Sequence, residues 1–214
     1  MKALLLIFLL LSGCITTNYY TARTLEKGKT VLTGGVDNLI WIEEDGGVVD
    51  KNLSFSLSLG VATGLPWRFE TGIRGYFPYI YEVNLRHQLN PREFDWFDIS
   101  ANGHIGVVFS EEFEEVSDPY FKYGLTISKE IFSIQPYVSY YLNKGYLVDN
   151  GSDDISDYSI ICFGLAIPYK DDLIFPECNY YLDKYAKNGF FTFGIGIRKS
   201  LNKEEIPRSH LNKR

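Results

Sequence analysis

Residues 53–62 read Leu53-Ser54-Phe55-Ser56-Leu57-Ser58-Leu59-Gly60-Val61-Ala62. Every odd position is apolar, and every even one is serine, glycine or alanine. Strict alternation over ten residues gives a β-strand one oily face and one polar or small face. The same period runs outward in both directions, from Lys29 to Ser200. It predicts ten strands, over 29–40, 53–62, 68–77, 79–88, 96–109, 120–128, 133–142, 158–169, 173–182 and 189–200. On the apolar phase lie Ile73, Val83, Leu85, Ile105, Leu125, Val138, Phe163, Phe193 and Ile197. On the polar phase lie Glu70, Arg74, Glu82, Arg86, Asp98, His104, Lys122, Glu177 and Arg198. No segment carries a 3.6-residue period.

Composition agrees with an all-β chain. Among 214 residues there are 16 Tyr, 15 Phe, 3 Trp and 19 Gly, with 45% hydrophobic residues. Aromatic side chains favour the half-buried pleated surface of a sheet. The 21 Lys and Arg against 27 Asp and Glu give a net charge of -6, which excludes the basic stripe of a nucleic-acid binder. Beyond the first dozen residues no apolar run approaches the roughly 20 residues a membrane helix needs.

The amino terminus reads differently. Met1-Lys2 is a short basic start, residues 3–11 are uninterruptedly apolar, and Leu11-Ser12-Gly13-Cys14 follows. The apolar run is too short to span a bilayer and suits a signal-peptide core. The last four residues resemble the lipobox of bacterial lipoproteins. That resemblance implies a signal peptide over 1–13, acylation (palmitate among the chains) at Cys14, and a lipidated tether over 14–28 on the periplasmic side. Acyl chains contribute about 0.8 kcal/mol per buried CH₂, so several of them anchor firmly.

The connections fall into two sets. Those at 64–67, 89–93, 129–132 and 170–172 are tight; those at 41–51, 110–119, 143–157 and 183–188 are longer and mostly acidic. The link at Pro78 is short and breaks that rule. Alternating strands of about ten residues, an even count and short turns on one side describe an antiparallel up-and-down transmembrane β-barrel; eight or twelve strands fit if a weak segment is misread. Ten residues at ~3.3 Å each, tilted near 45°, cover ~24 Å, close to an outer-membrane apolar band. Trp41, Trp67 and Trp96 fall at strand ends, and Tyr79, Tyr120, Tyr141, Tyr169 and Tyr181 lie near ends, as interfacial girdles would.

In this pattern residues 29–200 resemble the small outer-membrane β-barrel proteins of diderm bacteria. The resemblance implies outer-membrane lipid as surroundings and the barrel-assembly machinery as a partner during biogenesis. Such barrels end on an aromatic strand residue, whereas here a polar tail over 201–214 follows the last strand, leaving Phe190–Phe193 as an internal substitute. Alternation alone does not say which face points outward, and a soluble, lipid-anchored, lipocalin-like barrel around a hydrophobic ligand shows the same period. The eight polar-phase charges other than His104 balance at four of each sign, which a narrow lumen requires and a surface does not.

Catalytic chemistry finds little support. Ser100 and His104 share a strand face but sit ~13 Å apart, too far for a nucleophile–base pair. His87 has no matching serine for a lipid hydrolase of the outer membrane. Asp149-Asn150-Gly151-Ser152-Asp153-Asp154 offers oxygen ligands without EF-hand spacing, so a weak divalent cation at the acidic loops is the one cofactor it suggests. Cys162 and Cys178 lie on adjacent strands. They face each other, able to form a disulfide, if the turn centres on Lys170, and are offset if it centres on Asp171. The sequence thus predicts a non-enzymatic barrel with a structural or surface-interaction role, or alternatively a narrow pore for small solutes. No motif names an extracellular partner.

Overall fold

A computed structural model describes residues 19–45, 48–77, 80–91, 93–94, 96–109, 119–145, 157–183 and 189–202, without the side chains of 38–45, 48–55, 183 and 190. Ten antiparallel strands follow one another: β1 Thr30–Asp45, β2 Val48–Gly64, β3 Phe69–Phe77, β4 Ile80–Gln88, β5 Asp98–Val108, β6 Tyr120–Ser128, β7 Gln135–Lys144, β8 Tyr158–Tyr169, β9 Asp172–Asp183 and β10 Gly189–Ser200. Each pairs with its neighbours in sequence, and β1 pairs with β10, so the sheet closes into a barrel. Closure leaves no strand edge with unpaired backbone groups.

The register fixes the shape. Following partners once round from Thr30 leads through Thr63, Thr71, Leu85, Gly103, Tyr123, Leu142, Ser159 and Leu182 to Gly189. Gly189 stands two residues short of Phe191, the partner of Ile40. One circuit therefore climbs about twelve residues, a shear that tilts the strands by roughly 40° and sets a wall radius of about 10 Å.

The period-two phase decides what faces where. Leu57, Leu59, Val61, Ile73, Val83, Leu85, Ile105, Leu125, Ile127, Val138 and Phe163 are all exposed on the outside. Glu70, Arg74, Glu82, Arg86, Asp98, His104, Lys122, Glu177 and Arg198 are all buried inside. A lipocalin-like barrel would have the opposite polarity, so that alternative does not hold.

Five expectations need correction. The connection at 41–51 is not a loop: β1 and β2 run on, pairing Trp41 with Asn52 and Asp45 with Val48. Backbone pairing continues there although side-chain alternation stops, and it places Trp41 within a strand instead of at its end. Second, Tyr120, Tyr141 and Tyr181 are fully buried in the lumen, on the same phase as Lys122, Ser139 and Glu177, and form no girdle. Third, β5 begins at Asp98 instead of at 96, so Trp96, like Trp67 before β3, stands exposed just outside its strand, and both keep the strand-end position expected of them.

Fourth, Cys162 pairs with Asn179 while Phe163 pairs with Cys178. The turn is two residues, Lys170-Asp171, with Lys170 left-handed at φ 56. The one-residue offset puts Cys162 inside and Cys178 on the outer phase, and both are free thiols. Fifth, the segment before β1 is not a tether from Tyr19 onward. Tyr19, Tyr20, Thr21, Ala22 and Thr24 are buried inside the barrel. Cys14, the signal segment, the acidic residues 110–118, the stretch 149–154 and the tail beyond Asn202 lie outside the described residues.

The offset makes a direct prediction. In a Cys14→Ser chain unfolded without reductant, a thiol reagent should titrate two free cysteines. A native disulfide would leave none.

Candidate functional site

The lumen is the site, and the chain fills it from its own amino-terminal side. A turn starts the arrangement. The Lys29 amide donates to the Glu26 carbonyl at 3.0 Å, and Gly28 between them has φ 79. That left-handed third position is the geometry of a type II turn, which favours glycine there. The Gly28 amide also donates to the Gly64 carbonyl at 2.9 Å, fixing the turn to the end of β2. The chain thus reverses at the short-turn mouth: residues 25 back to 19 run up into the barrel, while β1 leaves along the wall.

Inside, lumen side chains grip the segment's backbone. The Leu25 amide donates to Glu70 Oε2 at 2.8 Å, the Ala22 amide to Ser128 Oγ at 3.0 Å and the Tyr19 amide to Glu177 Oε2 at 2.9 Å. The Thr24 amide donates to Gln88 Oε1 at 3.4 Å, and the Thr21 carbonyl accepts from Arg86 Nη2. Ser128 and Gln88 end β6 and β4, and Asp98, which accepts from Arg23 at 3.2 Å, begins β5. Residues 22–24 therefore stand level with the mouth, and Tyr19 lies three residues deeper.

The two tyrosines make the remaining contacts. The Tyr19 ring lies on Gly35 and Gly196, where a Cβ on either would collide with it. Its hydroxyl donates to Asp37 Oδ1. The Tyr20 ring stands beneath two guanidiniums, with Arg86 at 4.4 Å and Arg74 at 4.8 Å from its centroid. Its hydroxyl accepts from Asn84 Nδ2 at 2.8 Å. Cation–π contacts of this kind strengthen when desolvated.

The charges gather in clusters around the four carboxylates Glu70, Asp98, Glu177 and Glu82, as buried charges must be paired. Glu70 accepts from Arg86 at 2.9 Å and Arg198 at 3.0 Å, in addition to the Leu25 amide. Asp98 accepts from Gln88 at 2.9 Å and Gln135 at 3.3 Å, besides Arg23. Glu177 accepts from Tyr137 at 2.6 Å and Asn179 at 3.1 Å, besides the Tyr19 amide. Glu82 bonds His104 Nδ1 at 2.8 Å, Lys122 at 3.2 Å and Tyr120 at 3.0 Å. Of the nine polar-phase residues singled out in the sequence, Glu70, Arg74, Arg86, Asp98, Glu177 and Arg198 meet the inserted segment. Glu82, His104 and Lys122 form a further cluster, which the segment reaches where the Tyr20 ring lies 6.4 Å from the His104 ring.

Catalytic arrangements are not apparent in these contacts. His104 is tied to Glu82 and flanked by the Tyr141 ring at 5.7 Å, with no serine bonded to it. Ser100 donates instead to Asn102 Oδ1 at 3.1 Å. His87 stacks on Phe69 with centroids 4.2 Å apart. Among the described residues no group of three or more His, Cys, Asp or Glu is placed to hold a metal ion.

Sequence reasoning missed Tyr19, Tyr20, Asp37, Asn84, Gln88, Ser128 and the paired Gly35 and Gly196. One signal was present: Glu26-Lys27-Gly28-Lys29 is a turn sequence directly abutting β1. A free tether needs no turn at its foot.

No protein-family model matches the chain, and no curated protein matches it. Solved structures do. The attachment invasion locus protein Ail of Yersinia pestis is 14% identical, covering 81% of this chain and 99% of that one, at a TM-score of 0.32. The translocator domain of autotransporter NalP from Neisseria meningitidis is 12% identical over 82% and 89%, at 0.37. Neisserial surface protein A is 11% identical over 81% and 97%, at 0.30. At these values the likenesses decide nothing about function, and the fold rests on the chain's own strand pairing.

Two expected outcomes follow from the geometry. Gly196→Val drives a side chain into the Tyr19 ring, so the segment should leave the lumen and trypsin should cut after Arg23 at least tenfold faster in the detergent-solubilised barrel. Ile197→Val, facing outward on the same strand, should leave that rate unchanged. Glu70→Ala leaves Arg86 and Arg198 facing each other without their shared carboxylate, which should cost about 3–5 kcal/mol in a denaturant titration.

Proposed function

We propose that this chain is an outer-membrane β-barrel lipoprotein with a structural or surface-interaction role, its lumen closed by its own residues 19–25. One observation carries the reading: an apolar outer wall encloses a polar lumen that a segment of the same chain fills. An exposed band of Leu, Ile, Val and Phe needs a lipid solvent, because a water-soluble monomer rarely exposes so continuous an apolar surface. Outer membranes accept closed barrels of this height. Acylation at Cys14 gives the lipoprotein part, on the lipobox Leu11-Ser12-Gly13-Cys14. The short-turn mouth would face the periplasm and the acidic connections the outside.

The filled lumen weighs against the narrow-pore alternative. Tyr19 and Tyr20 occupy one half, and Tyr76, Tyr120, Tyr141 and Tyr181, all buried, occupy much of the other. We read the chain as non-enzymatic on a related ground, since wall and segment donors engage Glu70, Glu82, Asp98 and Glu177. Function then falls to the loops at the far mouth and to the wall itself.

The test is a gel and a bilayer. Unboiled protein should migrate differently from boiled protein in SDS, and the mass of the purified chain should show acyl groups lost on Cys14→Ser. In planar bilayers the intact chain should be silent. Absence of a heat shift removes the membrane reading, and steady ion conductance by the intact chain removes the closed-lumen role in favour of a pore.

A further inference from the structure

We propose that the barrel lumen is a peptide-binding site, occupied in cis by residues 19–25 and open to a second peptide of the same chemistry once they withdraw. The ligand class is a short, non-helical peptide with two adjacent tyrosines and a cationic residue three positions after the second.

A lumen that only needs filling can be filled by wall side chains, and part of this one is: His104, Lys122 and Tyr120 all bond Glu82, and the segment reaches that cluster through the Tyr20 ring beside His104. The half nearest the short-turn mouth is built differently. There Glu177, Ser128, Gln88 and Glu70 each accept a backbone amide, from Tyr19, Ala22, Thr24 and Leu25, and Arg86 donates to the Thr21 carbonyl. Five main-chain groups are thus held by side chains from β9, β6, β4 and β3. Recognition of this kind reads a peptide backbone whatever the side chains are.

Selectivity comes from two ring sites and one charge. The Tyr19 site has a floor of two glycines, Gly35 and Gly196, on paired residues of β1 and β10, and Asp37 receives the hydroxyl. The Tyr20 site has Arg74 and Arg86 over the ring face and Asn84 at the hydroxyl. At the mouth Asp98 receives Arg23. Tyr19 also adopts φ 49, a left-handed value uncommon for a bulky residue. Its amide and hydroxyl bonds hold it there, and strained backbone of that sort concentrates at ligand clamps. Among the described residues the segment continues into the wall through the exposed turn at Glu26 and Lys27, so it can be cut from the barrel there without touching the site. This inference depends neither on Cys14 nor on the membrane reading: a chain without a heat shift can still take up the peptide, and one with it can refuse.

The experiment uses the full chain in detergent, with a protease recognition sequence inserted between Glu26 and Lys27 and cut after folding. Should the turn not accept the insertion, limited cleavage of the unmodified chain at Lys27 serves the same purpose. A fluorescent synthetic peptide of residues 18–27 is then added, alongside a scrambled peptide and one with Tyr19→Ala and Tyr20→Ala. Two results support the site: the cut segment stays with the barrel through gel filtration, or the labelled peptide replaces it, saturably and at one per barrel. The scrambled and alanine peptides should bind at least tenfold more weakly. Loss of the cut segment without uptake of the labelled peptide overturns the proposal, and so does equal uptake of the scrambled sequence.

Discussion

Among the described residues five carboxylates lie out of water inside this barrel, Asp37 at the Tyr19 hydroxyl being one, and each has to meet a cation or a hydrogen-bond donor or become very costly. Glu82 finds Lys122, His104 and Tyr120 on the wall. Glu70, Asp98 and Glu177 also have wall partners, but each takes a further donor from residues 19–25. The inserted segment is therefore part of the charge balance of the interior. The wall supplies acidic oxygens, and the segment supplies amides, a guanidinium and two aromatic faces for the wall's own Arg74 and Arg86.

The outer face obeys the opposite constraint with the same period. Because side chains alternate, each residue that serves the lumen stands between two that serve the exterior, as Arg86 does between Leu85 and His87. A shift of one residue in register would exchange the faces along a whole strand. Hairpin turns of fixed length prevent that, and several hold non-glycine residues in left-handed conformations: Trp67 and Arg68, Phe132 and Ser133, and Lys170. Local backbone cost at the turns thus maintains the separation of charge from oil along the strands.

Much of this was legible in the sequence. The ten alternating runs located the strands, and β6, β8 and β10 have the bounds that alternation alone gives. Phase singled out Glu70, Arg74, Arg86 and the other buried charges because inward and outward residues differ so sharply in polarity. Three features escaped for physical reasons. β1 and β2 extend past the end of the alternating pattern, since backbone pairing does not require a hydrophobic face. Cys162 and Cys178 depended on whether the turn centred on Lys170 or Asp171, a difference that no period of two can resolve. The inserted segment has no period, because its partners come one at a time from β9, β4, β6 and β3, far away in sequence.

That segment also constrains how an acyl anchor at Cys14 and a closed lumen can coexist. Cys14 precedes Tyr19 by five residues, at most about 18 Å of extended chain. Tyr19 lies three residues deeper than Ala22, which is level with the mouth, so it sits roughly 10 Å inside. From the barrel axis to the surrounding lipid is about 10 Å more, the radius set by ten strands and their tilt. A straight path from there to the short-turn rim would need about 14 Å, some four-fifths of that reach. An anchor in that leaflet and a seated Tyr19 are therefore compatible, with little length to spare. Any shortening of that stretch would load the bonds from Glu177 and Asp37 to Tyr19 first, and the clusters around Glu70 and Asp98, nearer the mouth, last. An acyl group holding Cys14 at the rim would thus meet the lumen first through Tyr19.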